Sequence, residues 1–384
     1  MSYFHLNLIL KGKLTVCCLL MLSVIPLNAQ REAKQIGDFK ESISLNEHLR
    51  GTKRTLQYRP DGDEFVCVNG KNRYTRALYG SHSPFRVETS DRPVFAFYNN
   101  GRGGNISFKV ILRDGTELAL DRTGYCESRY SAGKRTYYLT DPSWGKGELR
   151  ISVLALADMD GAIWRFSPSN MPKGAILRWQ HGGATGKRLS RNGDMGVDPV
   201  DCFELPAEAT DLVTGELALQ KEVYLVRGEV PEGYNVRKLY QQAEAASLAL
   251  ASHLKIETPD PYLNTLGGAL VAAADGIWDG QVWLHGAIGW RMPLSGWRAG
   301  YTGDALGWHD RARTHFDAYA ASQVTDVPNT IPHPAQDSTM NLARSEKRWG
   351  TPQYSNGYIC RNPGRNNQMH HYDMNLCYMD ELLW

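Results

Sequence analysis

The sequence has almost no excess of charge of either sign. Among its 384 residues, 43 Lys and Arg stand against 41 Asp and Glu, which gives a formal net charge of +2. A protein that is drawn to nucleic acid or to an anionic membrane surface carries a basic excess or a clustered basic patch. The balance of charge therefore gives no basis for either partner. With 42% hydrophobic and 10% aromatic residues, the chain is expected to fold into two domains rather than to be disordered.

Several motifs of enzymes and metal proteins are also missing. The sequence contains no His-Glu-x-x-His, Gly-x-Ser-x-Gly or Cys-x-x-Cys, which removes the common zinc-protease, serine-hydrolase and zinc-thiolate sites. Residues 182–187 look like a phosphate loop, but His181 replaces its first glycine and Arg188 its metal-binding hydroxyl. The two histidines of the run 370–373 are adjacent, and adjacent helix residues point about 100° apart. We therefore expect no metal and no cofactor.

Few cysteines remain once the first 29 residues are set aside. They are Cys67, Cys126, Cys202, Cys360 and Cys377. An odd number with wide spacing is not typical of a disulfide scaffold. We expect buried free thiols, with one or two disulfides as the alternative.

The N-terminus has the pattern of a cleavable export signal. Lys11 and Lys13 give a basic start, and the run Leu14 to Leu27 gives an apolar core of 14 residues. That core is shorter than the roughly 20 residues that a membrane span needs, and Pro26 interrupts it. We expect residues 1–29 to be a signal peptide. The mature protein would then be periplasmic or secreted, with no stable membrane span.

The segment from about residue 50 to 230 carries the period of β-strands. Ile106, Phe108, Val110 and Leu112 alternate with more polar neighbours, as half-buried strands do. Similar short runs lie between turns rich in Gly, Asp and Asn, at 65–68, 94–98, 150–156, 163–166, 176–179 and 222–227. Many short strands with such turns predict an antiparallel β-sandwich, which we place at residues 30–232.

Helical spacing takes over after residue 232. Asn235 can cap a helix whose apolar stripe comprises Val236, Leu239, Tyr240, Ala243, Leu250 and Leu254, and we predict a helical linker over 233–259. Asp260 followed by Pro261 starts another helix, whose expected apolar stripe comprises Leu263, Leu266, Leu270, Ala274 and Ile277. Two further apolar spacings predict a helix from Thr302 or Gly303 to about residue 319 and a last one from about Gln368 to the C-terminus, through Tyr372, Leu376, Met379 and Leu383. Helix pairs of this kind are the unit of a helical toroid.

Tryptophan is concentrated in the last third of the chain. Seven of the ten Trp follow residue 260, and the stretch from Trp283 to Phe316 places several of them among Arg, Asp and His. Flat aromatic faces suit the C–H faces of a sugar ring, and charged groups hydrogen-bond its hydroxyls. Because 286–303 is rich in Gly, Pro and Ser, we favour a carbohydrate cleft over the alternative, a buried aromatic core with a solvated charged face.

Asp304 is the acid of this stretch with the clearest possible role. It lies in the first turn of its predicted helix, where free N–H groups and the helix dipole stabilise the ionised form. We expect a base or a hydroxyl anchor there, with a helix-capping carboxylate as the alternative. Helical spacing would let Asp304, Trp308, Arg311 and His315 line one wall. Asp275 and Asp279 are expected only at a solvated helix edge.

The run from Gly296 to Trp308, Gly-Trp-Arg-x-x-Tyr-x-Gly-Asp-x-Leu-Gly-Trp, resembles the six-hairpin, (α/α)6-barrel glycosidases. The resemblance extends to secreted polysaccharide-utilisation enzymes, with α-L-rhamnosidases and β-L-arabinofuranosidases as relatives. His371 to Asn375, followed by Met379 to Trp384, resembles the start of an inner barrel helix of that superfamily. Where the rhamnosidases carry acidic residues before the shared run, this chain has the run 292–295, Met-Pro-Leu-Ser. The identity of a general acid is therefore left open.

The resemblance implies an exported glycoside hydrolase that acts on a plant or host polysaccharide through two carboxylates, without a cofactor. Its catalytic domain would occupy residues 260–384, after the sandwich and the linker. The expected catalytic residue is Asp304, and the expected sugar-binding residues are Trp290, Trp297, Arg298, Tyr301, Trp308, Asp373 and Asn375. Two alternatives remain, a polysaccharide lyase using Tyr301, His309 and Arg298, and a carbohydrate-binding protein without activity.

Length adds one more expectation. Residues 260–384 number only 125, whereas the twelve helices of a complete toroid, at roughly 10–14 residues each plus loops, need well over twice that. We therefore expect the chain to hold only the first part of an (α/α)6 toroid and to be truncated at its C-terminus.

Overall fold

A computed structural model describes residues 57–99, 102–188, 212–286, 292–296, 298–323, 325, 357, 359–360, 363 and 372–384. The expected signal peptide and Cys202 lie outside these residues. The chain divides into two compact units, one made of residues 1–66 and 255–267 and the other of residues 67–254 and 268–384.

The described elements comprise many strands followed by helices. The strands before the first helix are β1 Arg59–Asp61, β2 Glu64–Val68, β3 Tyr74–Leu78, β4 Arg86–Ser90, β5 Phe95–Asn99, β6 Arg102–Ile111, β7 Glu117–Ala119, β8 Tyr125–Ser131, β9 Lys134–Thr140, β10 Glu148–Ala155, β11 Gly161–Ser169, β12 Ile176–Arg188, β13 Val213–Ala218 and β14 Val223–Gly228. After them come α1 Val236–Ala251, α2 Pro261–Gly276, β15 Leu284–His285, β16 Met292–Pro293, α3 Thr302–Ala305, α4 His309–Ala320 and α5 Tyr372–Leu383.

The smaller unit contains a hairpin and the start of a helix. Strand β1 pairs antiparallel with β2, with Arg59 opposite Val66. The Asp260 carboxylate accepts a hydrogen bond from the Tyr262 N–H at 2.8 Å, which satisfies one of the free donors in the first turn of α2. The helix start expected from Asp260 and Pro261 is therefore confirmed.

Two antiparallel sheets form the first part of the larger unit. One has the strand order β2, β8, β9, β10, β11, β14, where β2 contributes its last two residues. The other has the order β13, β12, β6, β5, β4, β3, with β7 also paired to β6. Each predicted strand overlaps one observed strand to within about one residue at each predicted end, because alternation of apolar and polar side chains is a local signal.

Aromatic side chains join the two sheets. The ring of Trp164 on β11 lies 5.5 Å from that of Phe95 and 5.7 Å from that of Phe97, both on β5. Phe108 on β6 and Phe166 on β11 are 5.2 Å apart, centre to centre. Edge-to-face contacts of this kind add to the energy of burying the rings, so the core of this part lies between the sheets.

Helix α1 follows the last strand and covers one end of the first sheet. Asn235 accepts a hydrogen bond from the Lys238 N–H at 3.0 Å, as an N-cap does. Leu239, Tyr240 and Ala243 are buried against a group of apolar residues that includes Leu154 and Ile163. The helix predicted in the linker is thus present with its predicted cap. Its predicted core face is confirmed in the middle of the stripe only, because Val236 is exposed and Leu250 and Leu254 are half-buried.

The apolar stripe expected along α2 is wrong in part. Leu263 and Leu270 are about half exposed, whereas Val271, Ala274 and Asp275 are buried. Asp275 is therefore not at a solvated edge, as the spacing had indicated. It is enclosed because Arg311, from a distant part of the chain, supplies an ion pair at 2.7 Å.

The single helix predicted from residue 302 to about 319 is two helices. α3 is one turn long and ends before Gly307, whose φ of +72° lies in the left-handed region that glycine tolerates without strain. α4 then begins at His309. The expected wall of Asp304, Trp308, Arg311 and His315 does not form, because Asp304 is exposed on α3 while His315 is fully buried.

The last helix also turns a different face inward from the one expected. Leu376, Met379 and Leu383 are largely exposed, whereas Tyr378 and Glu381 are buried. Among the described cysteines none forms a disulfide, and the side chains of Cys67, Cys126 and Cys360 are buried. No helix in the described part of the chain combines the length and the hydropathy that crossing a membrane requires.

Candidate functional site

The candidate site is built on a short turn that follows the strand pair β15–β16. Residues Arg298–Tyr301 form a 3-10 turn that leads directly into α3. Gly303 lies close to the core, since a Cβ there would come within 2.9 Å of the Trp283 ring and of Ala312. This tight approach fixes α3 against α4. It leaves the Arg298 side chain exposed and that of Tyr301 37% exposed.

Trp283 belongs to the core beneath this turn. Its side chain is fully buried, its indole N–H donates to the Ala274 carbonyl at 3.2 Å, and its ring lies 4.8 Å from that of Trp278. The aromatic-core alternative therefore holds for Trp278 and Trp283. Neither is open to a sugar.

Tyr301 connects the turn to α5. Its hydroxyl donates a hydrogen bond to the exposed Asp380 carboxylate at 2.5 Å. This hydrogen bond raises the pKa of Tyr301 to about 12. The phenol thus stays protonated at physiological pH, and the two side chains form one polar group at the surface.

Asp304 lies on the exposed side of α3. One of its oxygens is 2.7 Å from the His309 Nδ1, and the two side chains are 62% and 69% exposed. Nδ1 donates to the carboxylate in this contact, which leaves the other oxygen of Asp304 open to solvent. A carboxylate held in this way can accept from a sugar hydroxyl or a water molecule.

Trp308 directly precedes α4, and its side chain is half-buried. The guanidinium of Arg311 lies 4.4 Å from its ring centre, and the His253 ring lies 5.7 Å away. Arg311 also donates to Asp275, which His82 contacts at 3.2 Å through Nε2. Burial alone would raise the pKa of Asp275, but the hydrogen bonds from His82 and Arg311 outweigh it and lower that pKa below its usual value.

A second group of polar side chains is buried behind the turn. Glu381 on α5 is 3% exposed, and neither of its oxygens has a hydrogen-bond partner among the described residues. Burial, with a smaller contribution from Asp380, raises its pKa to about 8. His315 on α4 is fully buried, and burial lowers its pKa to about 4. Both side chains are therefore uncharged near neutral pH.

The structure brings together some of the residues that the sequence singled out. Arg298, Tyr301 and Asp304 lie on the turn and on α3, and Trp308 lies just beyond them, directly before α4. Trp290 and Trp297 lie outside the described residues, as do His370 and His371, and nothing is described of the Asp373 side chain. Within the described part of the chain, no group of three or more His, Cys, Asp and Glu could hold a metal ion.

Asn375 has a structural contact of its own. Its amide oxygen accepts from the Ile359 N–H at 2.6 Å, and its amide nitrogen donates to the Ile359 carbonyl at 3.0 Å. These two bonds hold the segment at residues 359–360 against α5. They occupy the polar atoms that a sugar would need.

Sequence reasoning missed Asp380 and Glu381, and it expected His315 on the wall of the site, whereas His315 is fully buried. Tyr378 and Glu381 are three residues apart and so share a helix face. A glutamate side chain near the end of a helix is nevertheless ordinarily expected to face the solvent. Asp380 is found only through its contact with Tyr301, which lies 79 residues away in sequence. No local pattern reports such a contact.

Comparison with known proteins adds two likenesses. Residues 100–230 match a family described as "Domain of unknown function (DUF4450)", a match that ends before the candidate site. The chain is also similar to a bacterial glucoamylase solved in complex with acarbose, at 8% identity and a TM-score of 0.41. That likeness covers 68% of this chain, which spans 55% of the glucoamylase chain. No curated protein matches the sequence.

Proposed function

We propose that this protein is an exported glycoside hydrolase that acts on a plant or host polysaccharide. The proposal keeps the expected layout of a β-sandwich and a helical linker, followed by part of an (α/α)6 toroid. Its sugar site is the turn and short helix that carry Arg298, Tyr301 and Asp304, together with Trp308. The relation to α-L-rhamnosidases and β-L-arabinofuranosidases belongs to the same proposal.

The observation that carries the proposal is the exposed combination of polar and aromatic groups on this one segment. Tyr301 and Asp304 lie on consecutive turns and are both accessible. Sugar recognition needs such a combination, because hydroxyls require charged or amide partners while the ring C–H faces require an aromatic surface.

Asp304 has the chemical form that a base or an anchor requires. Only one of its oxygens is engaged by His309, so the second is free to accept a proton or a hydroxyl hydrogen bond. Asp380 supplies another exposed carboxylate next to Tyr301. We propose these two acids as the first to be tested for the pair of carboxyl groups that glycoside hydrolysis uses.

The hydrogen bond of Tyr301 argues against the lyase alternative. A lyase of the kind considered above would need the phenol to take a proton from a uronate. A pKa of about 12 makes the neutral phenol a poor base near neutral pH, where a base works best with a pKa close to the ambient pH. Hydrolysis through carboxylates makes no such demand on Tyr301.

One assay separates the three functions. The protein is incubated with a panel of plant and host polysaccharides while reducing ends and ultraviolet absorbance are followed together. Hydrolysis predicts new reducing ends without added absorbance, and elimination by a lyase predicts both, because it leaves a conjugated C=C bond. Binding in affinity electrophoresis without any new reducing ends would overturn the enzyme proposal in favour of a carbohydrate-binding protein.

A further inference from the structure

The first sheet of the larger unit has an outer face, turned away from the second sheet, that helix α1 covers at one end only. Leu154 of β10 and Ile163 of β11 lie in one buried cluster with Leu239 of α1. Alternate side chains of a strand point to the same face, so Glu148 and Arg150 share the face of Leu154. Glu148 is exposed and Arg150 is half-buried. This end of the face therefore lacks the cover that α1 gives to the other end.

A groove of about 410 Å³ lies on the uncovered end of this face. Its side chains come from the adjacent strands β8, β9, β10 and β11, and they include Tyr125, Tyr138, Thr140, Glu148, Arg150 and Ser167. The volume falls within the range of ligand pockets, roughly 300–1,000 Å³. The groove is therefore large enough to take a small polar ligand or a short stretch of a chain molecule.

Two exposed tyrosines supply the aromatic surface of the groove. Tyr125 on β8 is opposite Thr140 on β9, so Tyr138, two residues before Thr140, is its diagonal neighbour on the same face. The Tyr125 hydroxyl donates to Glu127 at 3.0 Å, and the Arg150 guanidinium lies 5.3 Å from the centre of the Tyr138 ring. These contacts restrict the orientation of both rings. Aromatic surfaces held in this way suit the C–H faces of a sugar.

The polar side chains of the groove offer both donors and acceptors. Arg150 brings donors, Glu148 brings acceptors, and the Thr140 hydroxyl can serve as either. Within the described part of the chain Arg150 makes no ion pair, so no described carboxylate competes for its donors. The charges of Arg150 and Glu148 balance, and the groove therefore selects neither a cation nor an anion. A ligand with many hydroxyl groups fits this mixture.

We propose that this groove is a second carbohydrate site, which binds a stretch of polysaccharide through the rings of Tyr125 and Tyr138 and through hydrogen bonds from Arg150. A polysaccharide is favoured over a peptide because β9 and β10 are interior strands of their sheet. Their backbone groups pair on both sides, which leaves none for an added peptide strand. Binding here requires no hydrolysis, so the proposal does not depend on the proposed function. In a hydrolase, such a site keeps the enzyme attached to its polymer between cleavages.

The first test measures binding alone. Affinity electrophoresis in gels that contain arabinoxylan, pectic galactan or mucin compares wild type with variants of Tyr138, and at least one of these polymers should retard the wild type. Tyr138→Ala should weaken that binding by about tenfold, the factor expected for one lost aromatic contact. Tyr138→Phe keeps the ring and should bind within a few-fold of wild type. Tyr234 is an exposed tyrosine outside the groove, and Tyr234→Ala is the matched control that should bind as wild type. Full affinity in Tyr138→Ala, or no retardation of the wild type by any of the polymers, would overturn the proposal.

A second measurement uses the wild-type protein and needs no variant to fold. Hydroxyl-radical footprinting read by mass spectrometry should show less oxidation of Tyr125 and Tyr138 when the retarding polymer is present, and unchanged oxidation of Tyr234. Protection confined to Tyr301 and Trp308 would overturn the second site and support the proposed sugar site. Protection of Tyr125 and Tyr138 in a protein that releases no reducing ends would support the second site and overturn the proposed hydrolysis.

Discussion

The guanidinium carbon of Arg311 lies over the Trp308 ring, 4.4 Å from the ring centre. The same guanidinium donates to the buried Asp275 at 2.7 Å. One side chain thereby connects the end of α2 to the start of α4. A cation over a tryptophan face makes a favourable cation–π contact. Here the ion pair with Asp275 also fixes the orientation of the Arg311 guanidinium.

Removing this cation should destabilise the larger unit. Arg311→Met leaves Asp275 with His82 as its partner and should lower the free energy of unfolding by about 2 kcal/mol, the usual cost of losing a hydrogen bond between charged groups. Urea unfolding of the two proteins measures the difference. Arg313→Met, at an exposed position of the same helix, should change stability by less than about 0.5 kcal/mol. Equal losses in both variants would contradict the assigned contact.

The hydrogen bond between Tyr301 and Asp380 gives a spectroscopic prediction. Because the pKa of Tyr301 is raised to about 12, this phenol should stay protonated from about pH 9 to about pH 11, where ordinary tyrosines ionise. Wild type and Tyr301→Phe should therefore show the same tyrosinate absorbance over this range. Asp380→Asn should gain one tyrosinate. A wild type that already exceeds Tyr301→Phe by one tyrosinate would rule the bond out.

The parts of this fold that the sequence predicted are those set by neighbours along the chain. The alternation of apolar and polar side chains predicted the strands. Asn235 predicted the start of α1, because a capping residue and the helix that it caps are adjacent in the sequence. The burial of Asp275 depends on Arg311, which lies 36 residues away in the sequence. Helical spacing alone therefore placed Asp275 wrongly at a solvated edge. Glu381 was missed for the same reason, since only α4 and Gly300 make its position a buried one.

The cap of α1 offers a local test. Asn235→Ala removes the acceptor for the Lys238 N–H and should lower the free energy of unfolding by about 1 kcal/mol. The exposed Gln241, within the same helix, is the matched site, and Gln241→Ala should be neutral or slightly stabilising because alanine has the higher helix propensity. Thermal melts followed by circular dichroism compare the two, and a neutral Asn235→Ala would show that the cap contributes nothing.

The raised pKa of Glu381 makes stability depend on pH in a stated direction. Unfolded, the carboxyl releases its proton near pH 4.5, whereas in the folded protein it keeps the proton to about pH 8. Folded protein therefore binds the extra proton in this window, and stability falls as pH rises through it. Relative to Glu381→Gln, the free energy of unfolding of the wild type should fall steadily from about pH 4.5 to about pH 8 and then level off. His315 is present in both proteins, so its opposite contribution cancels. A difference that stays constant over this window would contradict the assignment.

The role of Asp304 in polysaccharide hydrolysis is tested most directly by comparing the kcat of Asp304→Asn with that of Asp310→Asn on a polysaccharide that the wild type degrades. Asp310 is an exposed acid on the neighbouring helix and is the matched control. We expect Asp304→Asn to lower kcat by about 100-fold or more, as removal of an acid–base group does, and to keep binding in affinity electrophoresis. Asp310→Asn should behave as wild type. Hydrolysis by Asp304→Asn at the wild-type rate would contradict this role.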